Sequence, residues 1–264
     1  MDLLLKGKLA LVTGSTAGIG LAIAEGLARE NATVIVNGRS EARATKAAEI
    51  IRQKIPQAAV EPFAADLSTQ QAFEALISRY PGLDILVNNL GIFNPQPFEE
   101  ISDEEWRRFF EVNVLSGVRL SRHYLPRMKE TGWGRIIFIS SESAVQIPVE
   151  MIHYGFTKTA QLAISRGLAE STVGTGVTVN AVLPGPTASE GVTDFVAKLA
   201  SQAKQTASEF EKFFFEKVRP TSLLKRFETP DEVANMVVFL CSPLASATNG
   251  AALRVDGGVL RSIV

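Results

Sequence analysis

Cysteine, histidine and net charge are all scarce in this chain. One cysteine, Cys241, among 264 residues excludes an intrachain disulfide and a multi-thiolate zinc site. Two histidines, His123 and His153, are too few for a histidine-rich metal centre, and no metal is expected. The 27 Lys and Arg are balanced by 28 Asp and Glu, so there is no basic surplus of the kind nucleic-acid binding draws on. No apolar run approaches the ~18 residues of a membrane helix. The start, Met1-Asp2-Leu3-Leu4-Leu5-Lys6, lacks the apolar length of a secretory signal. A soluble, cytoplasmic protein that binds neither nucleic acid nor membrane is expected. Its chemistry must come from hydroxyls, amines, carboxylates or an organic cofactor.

What is present is a steady alternation of two periodicities. Strand candidates are Leu9–Thr13, Thr33–Asn37, Ala59–Ala64, Asp84–Asn88, Arg135–Ser140, Val177–Leu183 and Ala251–Val255. Between them apolar residues recur at three- and four-residue spacing, as in Ile19/Ile23/Leu27, Phe73/Leu76/Ile77/Tyr80 and Val233/Met236/Val237/Leu240, the pattern of amphipathic helices. Ser68 with Gln71, Ser102 with Glu105, and Thr229 with Pro230 and Glu232 fit capping boxes at helix starts. This repetition argues for an α/β chain with a doubly wound parallel sheet of about seven strands, covered by helices on both faces. No linker or repeat divides 1–264, so one domain is expected. The stretch Ser189–Pro220 breaks the rhythm, being longer than the usual ~2–6-residue connection, and reads as a lid. Ala203, Ala207, Phe210, Phe214 and Val218 make a helical stripe there. Phe210 and Phe214 are expected to pack inward, and Phe213 and Phe215 to face a substrate or a second subunit.

After the first strand comes Thr13-Gly14-Ser15-Thr16-Ala17-Gly18-Ile19-Gly20, running into a helix. Glycines allow a sharp turn and close approach of a diphosphate, and the helix start offers free N–H groups and a positive dipole end. The spacing is neither G-x-G-x-x-G nor a P-loop. The second strand ends Val36-Asn37-Gly38-Arg39-Ser40, with no carboxylate before Glu41. A carboxylate there would suit the 2′-hydroxyl of NAD, whereas Arg39 suits the 2′-phosphate of NADP, with Ser15 or Ser40 adding a hydroxyl. NADP(H) is expected over NAD(H). Tyr154 and Lys158, four apart, share a helix face. An ammonium near a phenol lowers its pKa toward working pH and fits it for proton transfer.

Together these motifs resemble the short-chain dehydrogenase/reductase family along nearly the whole chain. The matches are the Thr13–Gly20 turn, Asp66-Leu67, Asn88-Asn89-Leu90-Gly91, Asn113, Ser141, Tyr154 with Lys158, Pro184-Gly185, and Thr248-Asn249-Gly250 through Asp256-Gly257-Gly258. The resemblance implies a three-layer αβα Rossmann fold and a catalytic tetrad of Asn113, Ser141, Tyr154 and Lys158. Ser141 takes the serine role because it stands 13 positions before Tyr154, with Ser140 and Ser143 as alternatives. Ser141 would orient a carbonyl oxygen and Tyr154 would donate its proton. Lys158 would hold the ribose hydroxyls, and Asn113 would anchor a water linking Lys158 to solvent. Cofactor contacts are implied at Gly14, Ser15, Thr16, Gly18, Ile19, Gly20, Arg39, Asp66, Leu67, Asn88, Gly91, Tyr154, Lys158, Pro184, Gly185, Thr187 and Ser189. Leu90 departs from the family's alanine and puts a bulkier side chain at the cofactor end.

The expected activity is NADP-dependent reduction of a ketone, including the 3-oxoacyl type, to a secondary alcohol. The alternatives are an NAD(P)-linked alcohol or polyol dehydrogenase, and a catalytically silent NADP(H)-binding regulator. The pocket is expected to be lined by Phe93–Pro97, Ala144–His153 and 189–220, including Ile147, Pro148, Val149, Met151 and Ile152. That inventory is mostly apolar and suits a neutral small-molecule carbonyl. His153 is expected to line the substrate loop or make a polar contact, and His123 to be an ordinary helix residue. The resemblance also implies a homo-oligomer, a tetramer or dimer.

Overall fold

The computed structural model describes residues 1–190 and 206–263. Strands β1 (Leu9–Val12), β2 (Thr33–Gly38), β3 (Val60–Ala64), β4 (Ile85–Asn88), β5 (Gly134–Ile139), β6 (Val177–Pro184) and β7 (Ala252–Val255) form one sheet in the order β3-β2-β1-β4-β5-β6-β7. Every pairing is parallel. Side chains alternate between the faces. Ala10, Val12, Val34 and Val36 enter one core with Ile23 and Leu27 of α1 (Gly18–Arg29), Ala47 and Ile51 of α2 (Glu41–Lys54), and Val233, Val237 and Leu240 of α8 (Pro230–Cys241). Leu11, Ile35, Leu86 and Ile136 enter the other. They meet Leu76 of α3 (Gln70–Arg79), Leu120 and Tyr124 of α5 (Ser116–Thr131), and Ala169 of α6 (Ile152–Glu170). The result is the expected three-layer doubly wound Rossmann architecture. Because the sheet is covered on both sides, its strands read as continuous apolar runs.

Two helix starts differ from the capping expectation. α3 is capped by Thr69, whose hydroxyl accepts from the Ala72 amide. Ser68 instead donates its hydroxyl to Asp66 Oδ1 at 2.6 Å. Ser102 does cap α4 (Asp103–Phe110), but Glu105 turns away to Arg108 (2.9 Å), leaving half a box. The Thr229–Glu232 box is complete, with Pro230 in the first turn.

The phenylalanine expectation holds for Phe210, which is buried, and for Phe213, which borders the cleft, and is corrected for Phe214 and Phe215. α7 (Ala207–Phe213) runs into a π-helical turn over Phe214–Val218, closed by Arg219 N–H to the Phe214 carbonyl at 2.8 Å. The wider turn moves the residues off the 3.6-residue stripe. Phe215 is therefore buried, edge-on to Phe214 and Phe227, while Phe213 and Phe214 border the cleft described below. The expected lid residues 191–205, Ala203 among them, lie outside the described residues.

Candidate active site

Because all strands run the same way, the carboxyl ends of β1, β4, β5 and β6 open onto one edge of the sheet. The chain reverses its winding direction between β1 and β4, where a doubly wound sheet opens a ligand crevice. A cleft of about 860 Å³ lies there. The glycine turn forms its near end. Gly14 and Gly18 have φ of +59° and +55°, a left-handed backbone that glycine adopts without strain. A Cβ on Gly20 would stand 2.5 Å from both the Asn89 Nδ2 and the Gly14 carbonyl, so nothing larger fits. Helix α1 begins at Ala17 with no side-chain cap and no acidic residue in its first turn. Its first N–H groups and dipole are thus free for an anion. This cradle of bare backbone fits a dinucleotide diphosphate.

Several implied cofactor residues sit where a ligand could touch them. Ile19, Gly91, Pro184, Gly185, Thr187 and Ser189 border the cleft with Tyr154 and Lys158. Ser189 closes over the turn, its Cβ 3.0 Å from where a Gly18 Cβ would be. Thr16 packs over Gly38 at the end of β2. Arg39 is exposed there and, among the described residues, has no side-chain partner. Asp66 keeps one carboxylate oxygen unspent while the other accepts from Ser68. The Leu67 side chain is buried in the core, leaving only its backbone for a ligand.

Two implied contacts are placed differently. The Ser15 hydroxyl donates to the Val12 carbonyl (2.6 Å) and accepts from the Asn37 amide (2.9 Å), so it joins β1 to β2 and faces no ligand. Asn88, the last residue of β4, points back into the protein toward Ser121, and its neighbour Asn89 borders the cleft instead. The alternation of a strand decides this: consecutive side chains leave on opposite faces. Thr13, quoted only as part of the motif, holds the two loops together. Its Oγ1 accepts from the amides of Asn89 and Leu90, each at 2.9 Å. Leu90 packs against the core and over Gly14.

The tetrad residues converge from three elements. Asn113 lies in a π-helical turn, Glu111–Leu115, between α4 and α5. Its side chain accepts from the Ile92 amide (2.8 Å) and donates to the Ile92 carbonyl and Thr157 Oγ1 (3.0 Å each), tying the loop after β4 to α6. Ser141 follows β5 and borders the cleft with Tyr154; its hydroxyl accepts from the Ser143 amide at 3.1 Å and lies near enough to the phenol to lower its pKa. The alternatives are spent elsewhere: Ser140 Oγ donates to the Lys158 carbonyl and Ser143 Oγ to Glu142. Lys158 Nζ donates to the Ile139 carbonyl at 2.8 Å and to Gln161 Oε1 at 3.4 Å. It stands 5.6 Å from the centre of the Tyr154 ring. Held by those carbonyls rather than by the phenol, the lysine does not lower Tyr154 here. Burial pushes Tyr154 up to about 12, against a lowering by the Ser141 hydroxyl, and Glu142 adds to the rise. Burial also pushes Lys158 down to about 7.

The pocket wall is more polar than expected. Glu142 and Arg219, both buried, form an ion pair of 2.9 Å on the cleft. Glu142 also accepts from Ser143 (2.9 Å), and Glu150 approaches the guanidinium at 3.9 Å. From the expected lining, Phe93, Pro95, Glu150 and Met151 border the cleft. Ile147 instead lies over Gly155, and Val149 projects to solvent, 81% exposed. His153 is fully buried, against Phe109 at 4.0 Å and Trp106 at 6.0 Å, and burial lowers its pKa. It is a core residue rather than a substrate contact. His123 meets Tyr124 edge-on in α5. Glu142 and Arg219 are 77 residues apart, so no local pattern announces their pairing.

A doubly wound parallel sheet with an uncapped glycine turn and a serine–tyrosine–lysine cluster at its carboxyl edge defines a nucleotide-dependent oxidoreductase. The family model described as enoyl-(acyl carrier protein) reductase matches residues 14–260, and the chain belongs to the short-chain dehydrogenase/reductase family. It is 52% identical over 263 residues to the uncharacterized oxidoreductase YvaG of Bacillus subtilis, with all of both chains covered. It is 38% identical to the 3-oxoacyl-[acyl-carrier-protein] reductase FabG of Aquifex aeolicus, over 98% of this chain and 100% of that one. The L-sorbose reductase of Gluconobacter frateurii, solved with NADPH and L-sorbose, superposes with a TM-score of 0.93 at 34% identity and full coverage of both chains. Among the described residues no helix is long and apolar enough to cross a membrane, and no cluster of His, Cys, Asp and Glu could hold a metal.

Proposed function

We propose that this chain is an NADP-dependent carbonyl reductase that turns a ketone into a secondary alcohol. The observation that carries the reading is the Ser141 hydroxyl beside the Tyr154 phenol on the cleft wall. Such a pair can hold one oxygen and protonate it. A nicotinamide, when bound, supplies the hydride. Ser141 fixes the substrate oxygen, and Tyr154 hands it a proton as negative charge develops there. Lys158 holds the cofactor's ribose hydroxyls. Asn113 braces the loop carrying Gly91 against α6. The uncapped α1 receives the diphosphate, and Arg39, without a side-chain partner among the described residues, receives the 2′-phosphate. NADPH in the L-sorbose reductase structure supports the same cofactor.

The Glu142–Arg219 pair favours a second substrate reading, a hydroxylated ketone or polyol rather than a purely apolar acyl ketone. Buried donors and acceptors reward a ligand that satisfies them. Segment 189–220 acts as the lid, and the whole chain as a single cytoplasmic unit. A tetramer or dimer would use the apolar groove between α5 and α6, at Val118, Leu125, Pro126, Ile164 and Leu168, which sedimentation at micromolar concentration tests. NADPH oxidation is to be followed across acyl, sugar and aromatic ketones, with Tyr154→Phe as the control. Turnover that survives that substitution would overturn the role of the phenol. NADPH binding without turnover on any ketone would favour a silent regulator.

A further inference from the structure

Gln161 lies one helical turn beyond Lys158 on α6 and shares its face. It is 2% exposed. Its Nε2 donates to the Asn113 main-chain carbonyl at 2.5 Å, while its Oε1 accepts from Lys158 Nζ at 3.4 Å. One side-chain amide therefore spans from the π-helical turn to the lysine. The family resemblance implies that Asn113 anchors a water leading from Lys158 to solvent.

We propose that Gln161 is a positioning residue for Lys158, its amide linking the ammonium to the Asn113 carbonyl. The inference rests on the reading of Tyr154 and Lys158 as the proton-handling pair. With Nε2 committed to a carbonyl, the amide can present only its oxygen to the lysine. A water there could turn and pass a proton onward; the fixed amide accepts and goes no further. Lys158 thus has two N–H groups spent, on Ile139 and Gln161. The third is left for the cleft beside Gly91, where a Cβ would come within 3.4 Å of Nζ. An acceptor that cannot rotate holds the ammonium in one orientation and favours its charged form.

No carboxylate makes a hydrogen bond or ion pair to Nζ among the described residues. Its surroundings are the Tyr154 ring on its own helix, the Ile139 carbonyl from β5, Gly91 from the β4 loop, and Gln161. Glu142 and Arg219 act on the phenol instead. The test is an NMR titration of protein carrying lysine labelled with carbon-13 at Cε, the Lys158 signal being identified by its loss in Lys158→Met. Gln161→Leu keeps the bulk and removes both polar atoms, so the Lys158 midpoint should fall by about one pH unit. Gln161→Ala leaves room for a water and should fall less; it also carries the test if the leucine variant does not fold. A midpoint that stays put in a folded variant, with only the melting temperature lowered, would overturn the proposal and leave Gln161 a structural brace. The readout needs neither substrate nor turnover, so it stands apart from the outcome of the ketone panel.

Discussion

The two halves of the cleft are built from different materials. On the β1–β4 side the ligand surface is backbone: left-handed glycines, an uncapped helix and loops pinned by Thr13. A buried acid on that side, Glu25, is pushed upward by burial, but pairing with Lys54 and Arg29 outweighs this and lowers it. On the β5–β7 side, Glu142, Lys158 and Arg219 border the cleft and are buried, and buried Glu228 lies beside Gly185. Burial pushes Glu228 up to about 8, with Asp256 and Glu232 adding to the rise. Holding a diphosphate requires space and N–H groups, whereas moving a proton requires groups whose charge has been made costly.

That contrast can be broken, starting with its largest expected effect. Tyr154→Phe should lower kcat by about 10²–10⁴-fold while NADPH affinity, measured by calorimetry, changes little. A comparable loss of affinity would mean that the halves are not separable.

The buried acid of the catalytic side should appear in stability. Glu228 has a raised pKa, so between about 4.5 and 8 the folded chain keeps a proton that the unfolded chain has lost. Stability from this group is therefore fully present below that window and falls as pH rises through it. Urea unfolding from pH 5 to 8 should show Glu228→Gln gaining roughly 2–4 kcal/mol relative to the parent across the window. A constant difference would remove Glu228 from the contrast.

The cofactor side should respond to bulk instead. Gly20→Ala drives a Cβ into Asn89 and the Gly14 carbonyl, which should destabilise the fold by about 1–3 kcal/mol and weaken NADPH at least about tenfold. Normal binding with a normal melting temperature would show that the turn has slack. The smallest effect is expected from Arg39→Ala, about a tenfold loss in the ratio of kcat/KM for NADPH over NADH, as befits one exposed charge-assisted contact. An unchanged ratio would assign the 2′-phosphate to another group.

Legibility in the sequence followed the same division. The glycine turn, the strand ends and the Tyr154–Lys158 spacing are local, and each could be read within a few residues. The misreadings arose where a local pattern did not carry the geometry. Asn88 and Asn89 are adjacent, yet strand alternation sends only the second to the cleft. Phe215 was displaced inward by a π-helical turn that leaves no mark in the apolar spacing. His153 neighbours Tyr154, but α4 brings Trp106 and Phe109 over it and makes it core.

By itself the sequence determined the sheet, its winding and the glycine turn, because hydrophobic period, helix capping and backbone freedom are properties of short stretches; the candidate tetrad came from the family resemblance. Only the tertiary structure decided which hydroxyl faces the phenol, that Glu142 meets Arg219, and that Gln161 joins Asn113 to Lys158. Those contacts link elements distant in the chain. Their strength comes from the removal of water around them, a condition that exists only once the layers have packed.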